Sequence, residues 1–289
     1  MKYIFVNLVE NRFRAGWRIL FQSVIAIVLI IVFSAIPSSF VSGTILGAVA
    51  ILISIAVAAW LLDKRDIQSY GLSFNKVWFL ECFKGILAGF IAISSIFVIL
   101  FIFGSIEFAG FGWDRTLPDG FISPFLGYLG LMMVVGFYEE IWMRGYLLFN
   151  IRDGLTFQNF DERKAMMVAI AITSIIFGLL HAGNPNASFI STFNIVLAGV
   201  MLALPVYFTG SLAIPIGLHA SWNFFMGGFY GMPVSGTEFR ESLIQSEIIG
   251  ESMWTGGEFG PEAGVVGLLA MAGLSAWMVL TLKDQKSGI

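Results

Sequence analysis

Eight stretches of this 289-residue chain are apolar and long enough to cross a lipid bilayer, which takes about 20 residues in a helix. They fall at about 17–37, 43–62, 79–104, 121–151, 164–182, 189–208, 211–230 and 262–282. Apolar residues make up 57% of the chain and charged residues 12%, against about 25% charged in an ordinary soluble domain. In lipid every backbone N–H and C=O must be paired within the protein, so such segments fold as helices. The expected fold is an all-α membrane protein, a bundle of about eight transmembrane helices. Residues 1–120 hold the first three helices, 121–230 a four-helix core, and 231–289 a loop and the last helix.

The first apolar run follows Arg12, Arg14 and Arg18 and has no clear cleavage site, so it reads as a retained helix. The fourth is too long for a plain span, and its second half, from Glu139, is expected to run toward or past one membrane surface. No sequence repeat is present. The single cysteine, Cys82, excludes an internal disulfide and reads as packing. Lipid is the expected environment, and nothing points to nucleic acid.

Lys and Arg in short loops set orientation. Lys2, Arg12 and Arg14, then Lys64, Arg65 and Lys76, then Arg152, Arg163 and Lys164, then Lys283 and Lys286 all fall on one side of an eight-helix path. The opposite loops hold Arg115 and Arg240 among Glu238, Glu241, Glu247, Glu251 and Glu258. Both termini are therefore expected in the cytoplasm, with the chain as a multi-pass protein of the cell membrane.

Against this background the ionisable residues inside apolar segments stand out. An ionisable side chain at the bilayer centre costs roughly 2.5–3.5 kcal/mol on insertion scales. Glu139 and Glu140 lie within LMMVVGFYEEIWMRGYLL, His181 ends AIAITSIIFGLLH, and His219 lies within SLAIPIGLHASWNF. Arg144, four residues after Glu140, shares its helix face, and a buried ion pair is the simplest reading of these two. Glu139 has no such local partner. It shares a face with Gly136, whose missing side chain lets another helix or a substrate backbone come close. Phe177 precedes His181 by one turn, and Asn223 follows His219 by one turn. Taken alone, His181 reads as a structural or interfacial histidine, and His219 with Asn223 reads equally as interhelical hydrogen-bonding glue.

Can these groups meet? Counted from the cytoplasmic helix ends at ~1.5 Å per residue, Glu139 lies ~18 Å in, His181 ~25 Å and His219 ~12 Å. That spread is too wide for contact in straight helices, and it closes only with tilt, side-chain reach or a shifted helix boundary. Together the groups supply what peptide hydrolysis needs. A carboxylate and an imidazole hold and deprotonate water. A histidine and an asparagine aimed at one carbonyl oxygen stabilise the oxyanion.

The motifs Glu139-Glu140-x-x-x-Arg144, Phe177-x-x-x-His181 and His219-x-x-x-Asn223 occur in that order, each in an apolar segment. This pattern resembles the CPBP family of intramembrane proteases, the CAAX proteases of Ras-converting type and their bacterial relatives. The resemblance covers about residues 121–230. It implies an eight-helix bundle with a catalytic cavity inside the membrane, in which Glu139 and His181 activate water and His219 and Asn223 stabilise the oxyanion. Glu140, Arg144 and Phe177 then support those four. It also implies catalysis without a metal cofactor, although Glu139, His181 and His219 form an acceptable zinc ligand set and zinc stays open as an alternative. The compact chain is similar to bacterial or archaeal members, so a membrane-associated peptide or protein is the expected substrate rather than a prenylated one.

Other protease classes fit poorly. There is no HExxH, no pair of Asp within the apolar segments, and no serine motif of rhomboid type. Two readings compete with the protease: a non-catalytic membrane scaffold or bacteriocin self-immunity protein, and a transporter with a Glu–His proton relay. Without inverted repeats or paired broken helices the transporter fits least.

Overall fold

The computed structural model describes residues 2–114, 120–157, 160–239 and 242–285. Arg115, Arg240, Glu241 and Lys286, used above for orientation, lie outside these ranges. A short N-terminal turn, α1 (Lys2–Phe5), leads into a two-stranded antiparallel ribbon of β1 (Val6–Asn7) and β2 (Arg12–Phe13). The long helices are α2 (Ala15–Ser34), α3 (Phe40–Ala58), α4 (Lys76–Ile102), α5 (Ile122–Glu140), α7 (Glu162–His181), α8 (Phe189–Thr209) and α11 (Val265–Leu282). Between α5 and α7, the helix continues from α5 through a π-helical stretch, Ile141–Leu147, into α6 (Leu148–Leu155). After α8 comes α9 (Ala213–Asn223), prolonged by a second π-helical stretch, Phe224–Phe229. A strand pair, β3 (Ile106–Phe111) with β4 (Ile244–Ile248), and the short α10 (Ser252–Thr255) complete the chain.

Local sequence explains where the helices begin. Ser39 and Ser188 each form a reciprocal capping box with the serine three residues on, at the starts of α3 and α8. Asn75 and Asp161 cap α4 and α7 by accepting the backbone N–H of Trp78 and Lys164. α8 ends on Gly210 in the left-handed conformation.

Among the described residues, seven helical spans are long and apolar enough to cross a membrane. The eighth expected span is present as α9 and its π-helical extension, but it is shorter than a full crossing. It is also the most enclosed: from Ala213 to Asn223 every residue except Ala220 is buried. Its neighbours are α4, α5 and α8. Two glycines allow this. A Cβ on Gly217 would collide with the carbonyl oxygen of Cys82 in α4, and one on Gly136 of α5 would stand 2.7 Å from the backbone nitrogen of Ala220. The expectation that Gly136 admits a neighbouring helix therefore holds, and that neighbour is the helix carrying His219.

One end of the bundle gathers the basic loops. Asp153 at the end of α6 pairs with Arg65 at 2.6 Å, Arg152 at 2.9 Å and Arg12 at 3.3 Å, while Lys64 donates to the Asn11 carbonyl at 2.6 Å. Just inside it, Arg18 of α2 pairs with Asp63 at 3.3 Å, and Asp63 also accepts from Asn150 at 3.0 Å and from the Tyr70 hydroxyl. Burial and the adjacent Asp63 carboxylate push the Tyr70 phenol up, so it stays a donor. Buried ionic groups survive here because each has a partner.

The opposite end is built from residues 231–239 and 242–264, of which the sequence reads about 231–261 as a loop rich in Gly and Glu and the rest as the start of the last span. It forms structure of its own. β4 pairs antiparallel with β3, Ile106 opposite Ile248 and Phe111 opposite Ile244, with a shift in register between Phe108 and Gly110. This ribbon was not legible from the sequence, because neither strand shows clean alternation of apolar and polar residues.

Candidate active site

The fold brings the three motifs to one cavity of about 160 Å3, whose wall includes Glu139, Phe177, His181, His219 and Asn223. Each comes from a different structural circumstance. Glu139 is the penultimate residue of α5, immediately before the π-helical stretch. His181 is the last residue of α7. His219 and Asn223 lie one turn apart on α9.

Glu139 Oε2 lies 3.9 Å from His219 Nε2, although a straight-helix count separates the two residues by ~6 Å; side-chain reach closes that gap. The segment Leu148–Leu155 carries Arg152 and Asp153 in the charged end of the bundle.

His219 is held between the two glutamates. Its Nδ1 lies 2.8 Å from Glu140 Oε1. An ionised carboxylate only accepts, so this nitrogen carries the proton and Nε2 is the atom turned toward Glu139 and the cavity. Glu140 is fully buried and Arg144 nearly so, and the two are joined at 2.9 Å, as the i,i+4 spacing predicts. Arg144 also donates to the carbonyl of Gly199 in α8 at 3.2 Å and lies 4.2 Å over the ring of Phe177. The sequence reading treated Glu140 with Arg144 as an ion pair, and the structure adds the bond to His219, which no local spacing could reveal.

His181 Nδ1 lies 2.8 Å from the carbonyl oxygen of Phe177, one turn earlier. The carbonyl accepts, so Nδ1 is protonated and the lone pair of Nε2 is left free for water or substrate. The Phe177 ring packs against both imidazoles, with centroids 4.6 Å from His181 and 6.0 Å from His219. Phe177 thus separates and orients the two histidines while covering Arg144.

Glu139 is not without a partner, as its sequence neighbourhood suggested. The hydroxyl of Tyr138 donates to its Oε1 at 3.1 Å. Among the described residues its Oε2, like that of Glu140, is buried without a hydrogen-bond partner, and it lies 3.9 Å from His219 Nε2. Asn223 is buried at the cavity wall. Sequence reasoning missed several other wall residues, including Tyr128, Asn184, Trp222, Ser235 and Glu262. The last two sit in the 231–264 segment, where no motif marks them.

Among the described residues no group of three or more His, Cys, Asp or Glu side chains is arranged to hold a metal ion. Glu139, His181 and His219 nevertheless line one cavity.

Fold and site together define a multi-pass, all-α membrane protein with an ionisable site enclosed by its own helices. Residues 121–225 match the model of the Rce1-like family, described as type II CAAX prenyl endopeptidase Rce1-like. The matched stretch runs from the start of α5 to just past Asn223 and so contains all three motifs. Comparison with curated proteins and with solved structures found no match.

Proposed function

We propose that the protein hydrolyses a peptide bond of a membrane-associated peptide or protein, with Glu139, His181, His219 and Asn223 as the catalytic groups. The observation that carries this reading is the convergence of all four, from three motifs up to 84 residues apart (139 to 223), on one small cavity within the bundle.

Water enters between the free Oε2 of Glu139 and the Nε2 lone pair of His181. Glu139 takes one proton of that water as it attacks the scissile carbonyl carbon, and later delivers it to the leaving amine. As the carbonyl oxygen gains charge, Asn223 Nδ2–H and the protonated His219 Nε2 donate to it. Glu140 fixes His219 from behind through Nδ1, and Arg144 holds Glu140. Seclusion from bulk water strengthens each of these interactions.

The basic end of the bundle faces the cytoplasm in this reading, with both termini there, in the cell membrane. The 231–264 segment, which lines part of the cavity, then lies on the outer side. The chain is a peptidase of CPBP type, and its substrate is a peptide or membrane-protein segment in contact with lipid.

The reading is tested by substrate trapping. Glu139→Gln keeps the shape of the side chain and removes the base. Expressed in the native host and purified with what it holds, this variant is expected to retain peptides that mass spectrometry identifies, and the wild-type protein is expected to cleave those same peptides. Trapped peptides that the wild type leaves intact would reject it.

A further inference from the structure

The segment that roofs the cavity is fastened by one buried carboxylate. Glu262 is 5% exposed and sits in the tight turn Pro261–Ala263 before α11. Its Oε1 accepts the indole N–H of Trp222 at 3.1 Å. Its Oε2 accepts both the backbone N–H and the hydroxyl of Ser235, each at 2.7 Å. Its backbone carbonyl accepts from Asn194 of α8 at 3.0 Å.

Ser235 is itself unusual. It holds a left-handed φ of 47°, uncommon for any residue but glycine, and its carbonyl accepts from Asn184 at 3.0 Å. Three donors therefore converge on the Glu262 carboxylate, and each of them needs an acceptor there. A neutral amide in its place would set its own NH2 group against one of those donors.

The position of Trp222 gives this clamp its meaning. Trp222 immediately precedes Asn223 and follows His219 by three residues, on the last turn of α9 before the π-helical stretch begins. Trp222, Ser235 and Glu262 line the same cavity as the two proposed oxyanion donors. We propose that Glu262 is a positioning residue: by tying Trp222 to Ser235 it fixes the rotation of α9, and with it the directions of His219 and Asn223, beneath a closed roof. The kinetic consequence rests on the peptidase reading, but the geometric one does not.

Glu262→Gln and Trp222→Phe disrupt the same hydrogen bond from opposite ends. The chain has only two histidines, so 15N-histidine-labelled full-length protein in detergent reports His181 and His219 as separate ring signals, assigned with His181→Gln. Both variants are expected to shift the His219 signal and leave that of His181 in place. On an internally quenched peptide derived from a trapped substrate, each is expected to lower kcat about 10- to 100-fold with KM changed by no more than about twofold. The double variant is expected to be no worse than the worse single one, because one shared contact is lost. An unmoved His219 signal in both variants, or losses that multiply in the double variant, would overturn the proposal. Should Glu262→Gln fail to fold, Trp222→Phe alone decides it by the same readouts. A wild-type protein that cleaves no trapped peptide while the His219 signal still moves would reject the peptidase reading and leave the clamp standing.

Discussion

His219 and Glu140, 79 residues apart in the chain, are joined by a 2.8 Å hydrogen bond inside the bundle. The same oxygen of Glu140 also receives Arg144 at 2.9 Å. The adjacent carboxylates of Glu139 and Glu140 therefore have different work. One is locked into a buried ionic framework, and the other lines the cavity.

That difference separates stability from activity. Glu140→Gln leaves Arg144 buried without its counter-charge, a loss expected to cost about 3–5 kcal/mol. Glu139→Gln keeps an oxygen that accepts from the Tyr138 hydroxyl and is expected to cost about 1 kcal/mol or less. Thermal unfolding in detergent should place Glu140→Gln far below the wild type and Glu139→Gln close to it. Equal losses in both variants would contradict the assignment of the two carboxylates.

Among the described residues no hydrogen bond ties the Asn223 side chain into the bundle; only its backbone carbonyl accepts from the Tyr128 hydroxyl, at 3.4 Å, and the residue lines the cavity. Asn223→Ala is expected to fold normally and to lower kcat by about 10²–10³-fold, the usual effect of removing one oxyanion donor. Steady-state kinetics on a trapped peptide check this, and an unchanged kcat would remove Asn223 from the proposed mechanism.

Helix packing around His219 depends on absent side chains. Gly136→Ala places a methyl group against the backbone of α9 and is expected to destabilise by about 1–3 kcal/mol. Gly130→Ala, on the same helix but with open space around its Cβ position, is expected to be neutral or to stabilise by up to about 1 kcal/mol. Unfolding midpoints of the two variants, measured side by side, test whether α9 is seated as described.

The proposed mechanism activates water with Glu139 and His181 and uses no metal, so cleavage by purified protein is expected to survive prolonged treatment with EDTA or phenanthroline. Loss of activity that returns on adding zinc would revive Glu139, His181 and His219 as ligands.

Much of this arrangement was legible in the sequence because lipid is a strict solvent. Apolar runs had to be helices, and Glu139, His181 and His219 needed a reason to be inside them. The ion pair of Glu140 and Arg144 followed from helical spacing, and the role of Gly136 from its missing side chain. What could not be read was set by contacts distant in the chain. The bond from Glu140 to His219 depends on how α5 and α9 cross. The clamp of Glu262 on Trp222 and Ser235 joins the first residue of the last expected span to an expected loop and to another helix, which no local spacing reveals.

The most direct measurement is cleavage of a trapped peptide by purified protein in liposomes, comparing wild type with a folded Glu139→Gln variant. Product formation by the wild type, and a rate no different from the protein-free background in the variant, is the predicted result. Cleavage by the variant at the wild-type rate would contradict the claim that the free oxygen of Glu139 activates the attacking water.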